Sequence, residues 1–153
     1  MPGRADLGAD VELIFVYGTL MKDYGLHHVL ARGARFVERG KVRGRLLDLG
    51  AYPGMVTGVG QVKGEVYRLE DPELLPVLDA EEGYNFERSR VVATMANGRH
   101  ARVWVYRYRG PRDGAVPIPD GDYRRTHPTL RGADARRARG RARDADRARE
   151  ADQ

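Results

Sequence analysis

The chain has 153 residues, 41% hydrophobic and 32% charged, a size and composition suited to one domain with a single core and a well-solvated surface. It contains no Cys, which excludes disulfides, thiolate metal sites and a cysteine nucleophile and fits a reducing, cytoplasmic setting. The formal net charge is +5, of which residues 131–153, with eight Arg against five acids, supply +3; the body is nearly neutral and offers little for a phosphate-binding surface.

Residues 1–10 are polar and Gly-containing and are expected to be a disordered lead-in. They lack the basic segment and apolar run of a secretory leader. The longest apolar stretch, Leu13 to Val16, is too short to span a membrane. Val11 to Val16 is β-branched and apolar and predicts a strand buried on both faces. It runs into Tyr17-Gly18-Thr19-Leu20, where a glycine lets successive backbone N–H groups converge as a small anion-binding nest. The same four residues also serve as an ordinary strand-ending turn, and no nucleotide-phosphate motif accompanies them. Gly25 to Ala31 predicts a short helix with Leu26, Val29 and Leu30 on one side.

Arg35 to Val37 and Val42 to Leu49 read as two further strands, and Ala51-Tyr52-Pro53-Gly54 as a loop. Val62 to Leu69 predicts a strand with mixed faces. Asp71-Pro72-Glu73 has the chemistry of a helix start, Asp as cap and Pro in the first turn. Pro76 conflicts with a helix begun at Pro72, so either the first turn is irregular or the helix proper starts at Pro76. Glu81-Glu82-Gly83-Tyr84 follows. A carboxylate at a helix C-terminus faces the unfavourable pole of the dipole; in an apolar pocket its pKa rises and it becomes an acid/base group near neutrality, whereas in a polar loop it is simply solvated. Arg88 to Met95 and His100 to Tyr108 flank Asn97-Gly98, the strongest short hairpin signal, and the alternating Trp104, Tyr106 and Tyr108 fit a barrel wall. The chain is then Pro- and Gly-rich to His127-Pro128. Residues 129–153 are Arg/Ala/Asp-rich without an apolar stripe and predict a flexible tail. The four His residues lack metal-ligand spacing, so no metal and no cofactor is assigned.

Short strands, one or two helices and no βαβ alternation predict an α+β fold, a small mixed β-barrel with short flanking helices over residues 11–128. In order and spacing, Tyr17-Gly18-Thr19-Leu20, Tyr52-Pro53-Gly54, Gly64-Glu65-Val66-Tyr67, Leu78-Asp79-x-x-Glu82-Gly83-Tyr84 and the Arg88/Arg90 and Val105-Tyr106 strands resemble the gamma-glutamylcyclotransferase-like family, over roughly Ile14 to Tyr123. Thr19-Leu20, where the branch acting on gamma-glutamyl amino acids usually has Ser-Asn, is similar to the gamma-glutamylamine branch. The resemblance implies release of 5-oxoproline from a small gamma-glutamyl amine or amino acid without a cofactor, Glu82 as the catalytic acid/base, and Tyr17, Gly18, Thr19 and Leu20 as the loop that holds the gamma-glutamyl group. Tyr123, in a Gly-Asp-Tyr that stands where relatives often carry Gly-Asp-Trp, is a further implied substrate contact. Two rival classes are kept beside this one. One is a non-catalytic module binding small carboxylates on the same barrel. The other is a nucleic-acid-binding small barrel with a basic tail, disfavoured by the interspersed acids.

Overall fold

The computed structural model describes residues 11–129; the expectations for residues 1–10 and for the tail from 130 onward lie outside the described residues. The strands are β1 (Glu12–Val16), β2 (Ala34–Asp48), β3 (Pro53–Leu69), β4 (Phe86–Met95), β5 (His100–Tyr108) and β6 (Val116–Ile118). The short helices are α1 (His27–Leu30), α2 (Leu74–Glu82) and α3 (Tyr123–Thr126).

Five of the strands close on themselves. β1 pairs antiparallel with β3, β3 with β2, β2 with β4 and β4 with β5, and β5 returns parallel to β1 at Ile14↔Trp104. Closure leaves no open edge within the ring, and β6 extends it along the outer end of β2. Alternate residues of the strands fill the interior: Val42, Val62, Val66, Val103 and Val105 are buried to 2% exposure or less. In β1, Ile14, Phe15 and Val16 are all buried, as expected for a strand covered on both faces. Val29 and Leu30 of α1 and Leu74 and Leu78 of α2 join the same apolar cluster.

The two strands expected at Arg35–Val37 and Val42–Leu49 are one strand of 15 residues. The polar stretch between them stays paired, with register shifts at Phe36/Glu38 and Arg43/Arg45 taking up the irregularity. β3 begins at Pro53 rather than Val62, so Tyr52 sits at the tip of a long β2–β3 hairpin. The Asn97-Gly98 hairpin forms, but only Gly98 takes a positive φ, 89°. Met95 N–H donates to the Arg99 carbonyl at 2.7 Å and Gly98 N–H to the Met95 carbonyl at 2.8 Å, the pattern of a three-residue loop rather than a two-residue turn.

The α2 boundary resolves the conflict at Pro76. The helix starts at Leu74, so Pro76 falls among the first residues, whose N–H groups have no intrahelical acceptor to lose. Asp71 still organises the start: its carboxylate accepts from Glu73 N–H at 3.0 Å and its carbonyl from Leu74 N–H at 3.0 Å. At the other end Gly83 has φ 83° and turns the chain out of the helix immediately after Glu82. No helix among the described residues is long and apolar enough to cross a membrane.

Candidate active site

Two chain segments far apart in sequence meet at one end of the barrel. β1 delivers the Tyr17 to Leu20 loop and α2 delivers Glu81 and Glu82; both line one pocket together with Tyr52 and Pro53 from the β2–β3 hairpin tip. Phe15, Leu26, Phe86 and Tyr106 supply apolar walls.

The loop is folded so that its carbonyls are used and its amides are not. Met21 N–H donates to the Gly18 carbonyl and Leu26 N–H to the Thr19 carbonyl, each at 2.9 Å, and a His27 ring nitrogen lies 2.9 Å from the Leu20 carbonyl. The N–H groups of Gly18, Thr19 and Leu20 donate to no described residue. Three successive donors without an acceptor among the described residues, on residues that line a cleft, have the chemistry to hold an anionic oxygen. Gly18 is required by close approach: a Cβ there would lie 2.5 Å from Pro53 Cγ.

Tyr17 is buried, with its hydroxyl fully engaged inside the fold. It donates to the Tyr106 carbonyl at 2.7 Å and accepts from Met55 N–H at 3.0 Å. Burial drives its ionisation far above the ordinary phenol range. Its ring lines the pocket, while its polar atom fastens the loop to β5 and β3.

Glu82 has the opposite situation. Its carboxylate is half-buried and makes no hydrogen bond or ion pair with a described residue. Desolvation, reinforced by the negative charge of Glu81, raises its pKa from 4.5 to about 7. One helical turn earlier Asp79 accepts two hydrogen bonds from Arg88, Nε at 2.8 Å and Nη2 at 3.1 Å, and one from the Tyr106 hydroxyl at 2.6 Å. Burial pulls the Asp79 carboxyl upward, but these donors outweigh it and hold it below the usual carboxylate range. Two carboxylates on one helix are thus pushed in opposite directions, Asp79 by its donors and Glu82 by desolvation.

The structure therefore brings Tyr17, Gly18, Thr19, Leu20 and Glu82 into one pocket. Tyr123 is not among the residues that line it. It opens α3 and is buried against Tyr24 (ring centroids 5.7 Å apart) and His127 (4.7 Å), where a large ring has core to fill. Sequence reading missed Tyr106, Phe86 and Leu26 as pocket walls. Alternation along β5 assigned Tyr106 to the barrel wall, and only the position of α2 against that wall makes it part of the site. Among the described residues no group of three or more His, Asp or Glu is placed to hold a metal ion.

Residues 14–125 match the family described as gamma-glutamyl cyclotransferase, AIG2-like. The gamma-glutamylcyclotransferase family protein YtfP of Escherichia coli K12 is 36% identical over 110 residues, covering 72% of this chain and 94% of that protein. The solution structure of the Escherichia coli ytfP protein superimposes with a TM-score of 0.56 at 34% identity, over 72% of this chain and 95% of that one. An uncharacterized protein from Pyrococcus horikoshii superimposes with a TM-score of 0.62 at 28% identity, over 75% and 92%. Both the strand order and the pocket-forming motifs fall inside the matched region, and the chain belongs to the gamma-glutamyl cyclotransferase, AIG2-like family.

Proposed function

We propose that this protein is a cyclotransferase that releases 5-oxoproline from a gamma-glutamyl amine or amino acid by internal aminolysis, with Glu82 as general acid/base. The observation that carries the reading is the pairing, in one pocket, of a carboxylate whose pKa is raised to about 7 with three backbone N–H groups, none of them with a partner among the described residues.

The α-ammonium of the glutamyl group gives a proton to Glu82, and the freed amine attacks its own γ-carbonyl carbon. The N–C bond closes a five-membered ring, the C–N bond to the departing amine breaks, and 5-oxoproline forms. Two protons leave the α-nitrogen and two reach the departing nitrogen if it leaves as an ammonium; Glu82 carries them one at a time. A carboxyl titrating near neutrality suits both directions of transfer. Holding the glutamyl chain folded supplies much of the acceleration, since well-oriented intramolecular attack is worth about 7–11 kcal/mol. The Gly18, Thr19 and Leu20 amides serve the substrate's α-carboxylate or the oxyanion of the tetrahedral intermediate, and the Tyr17, Tyr52 and Tyr106 rings exclude water. The small-molecule substrate is the partner this chemistry requires. Residues 11–128 constitute the catalytic domain, with 129–153 an appended tail, and the Cys-free composition supports a cytoplasmic setting.

The test is 5-oxoproline release from a panel of gamma-glutamyl amides by wild type and Glu82→Gln. Wild type turns over at least one amide, and the variant, folded by circular dichroism, loses about 10²–10⁴-fold in kcat. Full activity in the variant ends the assignment of Glu82. Thermal stabilisation by the amides without turnover in wild type replaces the enzyme with a binding module.

A further inference from the structure

Among the described residues Glu65 is the only charged one that is buried, at 7% exposure. An ion taken out of water needs partners on its oxygens, and Glu65 has them. Oε1 accepts from the Lys22 N–H at 3.0 Å and from the Tyr67 hydroxyl at 2.9 Å, and Oε2 accepts from Arg124 Nη2 at 2.7 Å. The same Arg124 nitrogen donates to the Lys22 carbonyl at 3.1 Å, and the guanidinium lies 5.0 Å from the centre of the Tyr24 ring. The Lys22 backbone is thus held at its N–H by Glu65 and at its carbonyl by Arg124. What these bonds enclose is the Tyr17 to Leu20 loop. In the β1–β3 ladder Glu65 stands opposite Val16, so its backbone fixes the chain just before Tyr17 while its carboxylate fixes the chain two residues after Leu20. One residue of β3 therefore closes both ends of the loop, and Arg124, brought by α3, locks the second end. Between the two anchors the Met21 N–H on the Gly18 carbonyl closes the turn. Neither Glu65 nor Arg124 lines the pocket itself. An apolar pair would fill the same space without the desolvation of two charges, whereas a carboxylate and a guanidinium grip a backbone from both sides through charge-assisted hydrogen bonds.

We propose that Glu65 and Arg124 are positioning residues that together set the direction of the Gly18, Thr19 and Leu20 N–H groups, so that α3 serves the site through Arg124 rather than through Tyr123. The effect on rate rests on the cyclotransferase reading above; the effect on the amides rests on the loop contacts alone. No bond is made or broken at either residue. Loss of Arg124 leaves the Lys22 carbonyl without its donor and the Glu65 charge without its cation, and the second end of the loop is released. A displacement of about 1 Å in groups that orient a substrate costs about 100-fold in rate, even when the altered residue is far from the chemistry.

The full chain is compared as wild type, Arg124→Met, Arg124→Lys and Glu65→Gln. Arg125→Met is the control for loss of a charge on the same helix, since Arg125 pairs with Asp120 and does not line the pocket. Each protein is assayed for 5-oxoproline with the gamma-glutamyl amide that wild type turns over best, at a temperature where circular dichroism shows it fully folded. Arg124→Met is expected to lose about 10- to 100-fold in kcat/KM, and Arg125→Met to stay at the wild-type value. Glu65→Gln keeps an acceptor for the Lys22 N–H and Arg124→Lys keeps the charge, so both are expected to fall between wild type and Arg124→Met; they carry the test if Arg124→Met does not fold. A purely structural role would lower the melting temperature and leave kcat/KM of the folded protein alone. The second readout needs no turnover: in proton–nitrogen NMR spectra the Gly18, Thr19 and Leu20 amides are expected to shift in Arg124→Met while those of the β4–β5 hairpin stay in place. Wild-type kcat/KM with unmoved loop amides in Arg124→Met, or an equal loss in Arg125→Met, overturns the positioning role and leaves the cyclotransferase reading intact. Absence of 5-oxoproline from wild type overturns that reading, and unmoved loop amides in Arg124→Met then overturn the positioning of the loop as well.

Discussion

The raised pKa of Glu82 makes a prediction about stability that requires no substrate. In the unfolded chain the carboxyl titrates near 4.5, and in the fold near 7. Between those values the folded state binds more protons than the unfolded state, so stability falls as pH rises through the window. Below pH 4.5 the group is neutral in both states and contributes nothing to the difference between wild type and Glu82→Gln. At pH 8 wild type must ionise a carboxyl that the fold prefers neutral, while the glutamine variant carries no such charge. At about 1.4 kcal/mol per tenfold the gap corresponds to about 3 kcal/mol, and access of water to the half-buried carboxylate reduces it to about 2 kcal/mol. For a domain of this size that is a rise in Tm of about 8 °C for Glu82→Gln at pH 8, shrinking to nothing by pH 4. Thermal melts of the two proteins at pH 4, 6 and 8, followed by circular dichroism, measure it. Equal Tm values at pH 8, or a less stable variant there, would show that Glu82 is solvated or paired and would refute the reasoning.

Two further substitutions probe the supports of the pocket. Gly18→Ala forces a Cβ to within 2.5 Å of the Pro53 ring, which cannot rotate away; urea unfolding should show a loss of about 1–3 kcal/mol, and 5-oxoproline release should fall further than stability accounts for, because the amide donors are displaced. Asp79→Asn removes the charge that holds Arg88 in two hydrogen bonds and accepts from Tyr106; equilibrium unfolding should show a loss of about 1–3 kcal/mol, and a variant as stable as wild type would remove Asp79 as the anchor of α2.

The parts of the site that follow from local chemistry were legible in the sequence. β1 is apolar at every position from Leu13 to Val16, so its burial and the placement of Tyr17 to Leu20 at its end were plain. Glu82 was legible as a position but ambiguous as an environment. Its pocket walls come from Tyr52, Phe86 and Tyr106 on other elements, and no local pattern distinguishes it from its solvated neighbour Glu81. β2 was divided in two because Glu38-Arg39-Gly40 has the composition of a turn; the stretch stays paired with β3, Arg39 is exposed and the Glu38 carboxylate accepts from Asn97 N–H at 2.7 Å, so charge there is compatible with a continuous strand. The first half of β3 was hidden by Gly54, Gly58 and Gly60, which lower strand propensity but are tolerated inside a long hairpin. β6 contains Pro117 and forms because it lies on the rim, where a missing donor costs little. Tyr123 was assigned by analogy with a tripeptide of relatives rather than from its own surroundings, and those surroundings are Tyr24 and His127.

The parallel pairing of β1 with β5 has a consequence for how the protein comes into being. β1 is the first strand in the chain, and its partner in the closing seam is the fifth. While the chain is being synthesised, the apolar segment Leu13 to Val16 has no complete set of neighbours until β5 has emerged, and contacts of such long sequence separation are the slow ones in folding. The pocket lies at the end of that same strand, with Tyr17 fastened to the Tyr106 carbonyl across the seam. An unfinished chain thus has neither a closed barrel nor a cleft. Completion of the fold and completion of the pocket are one event.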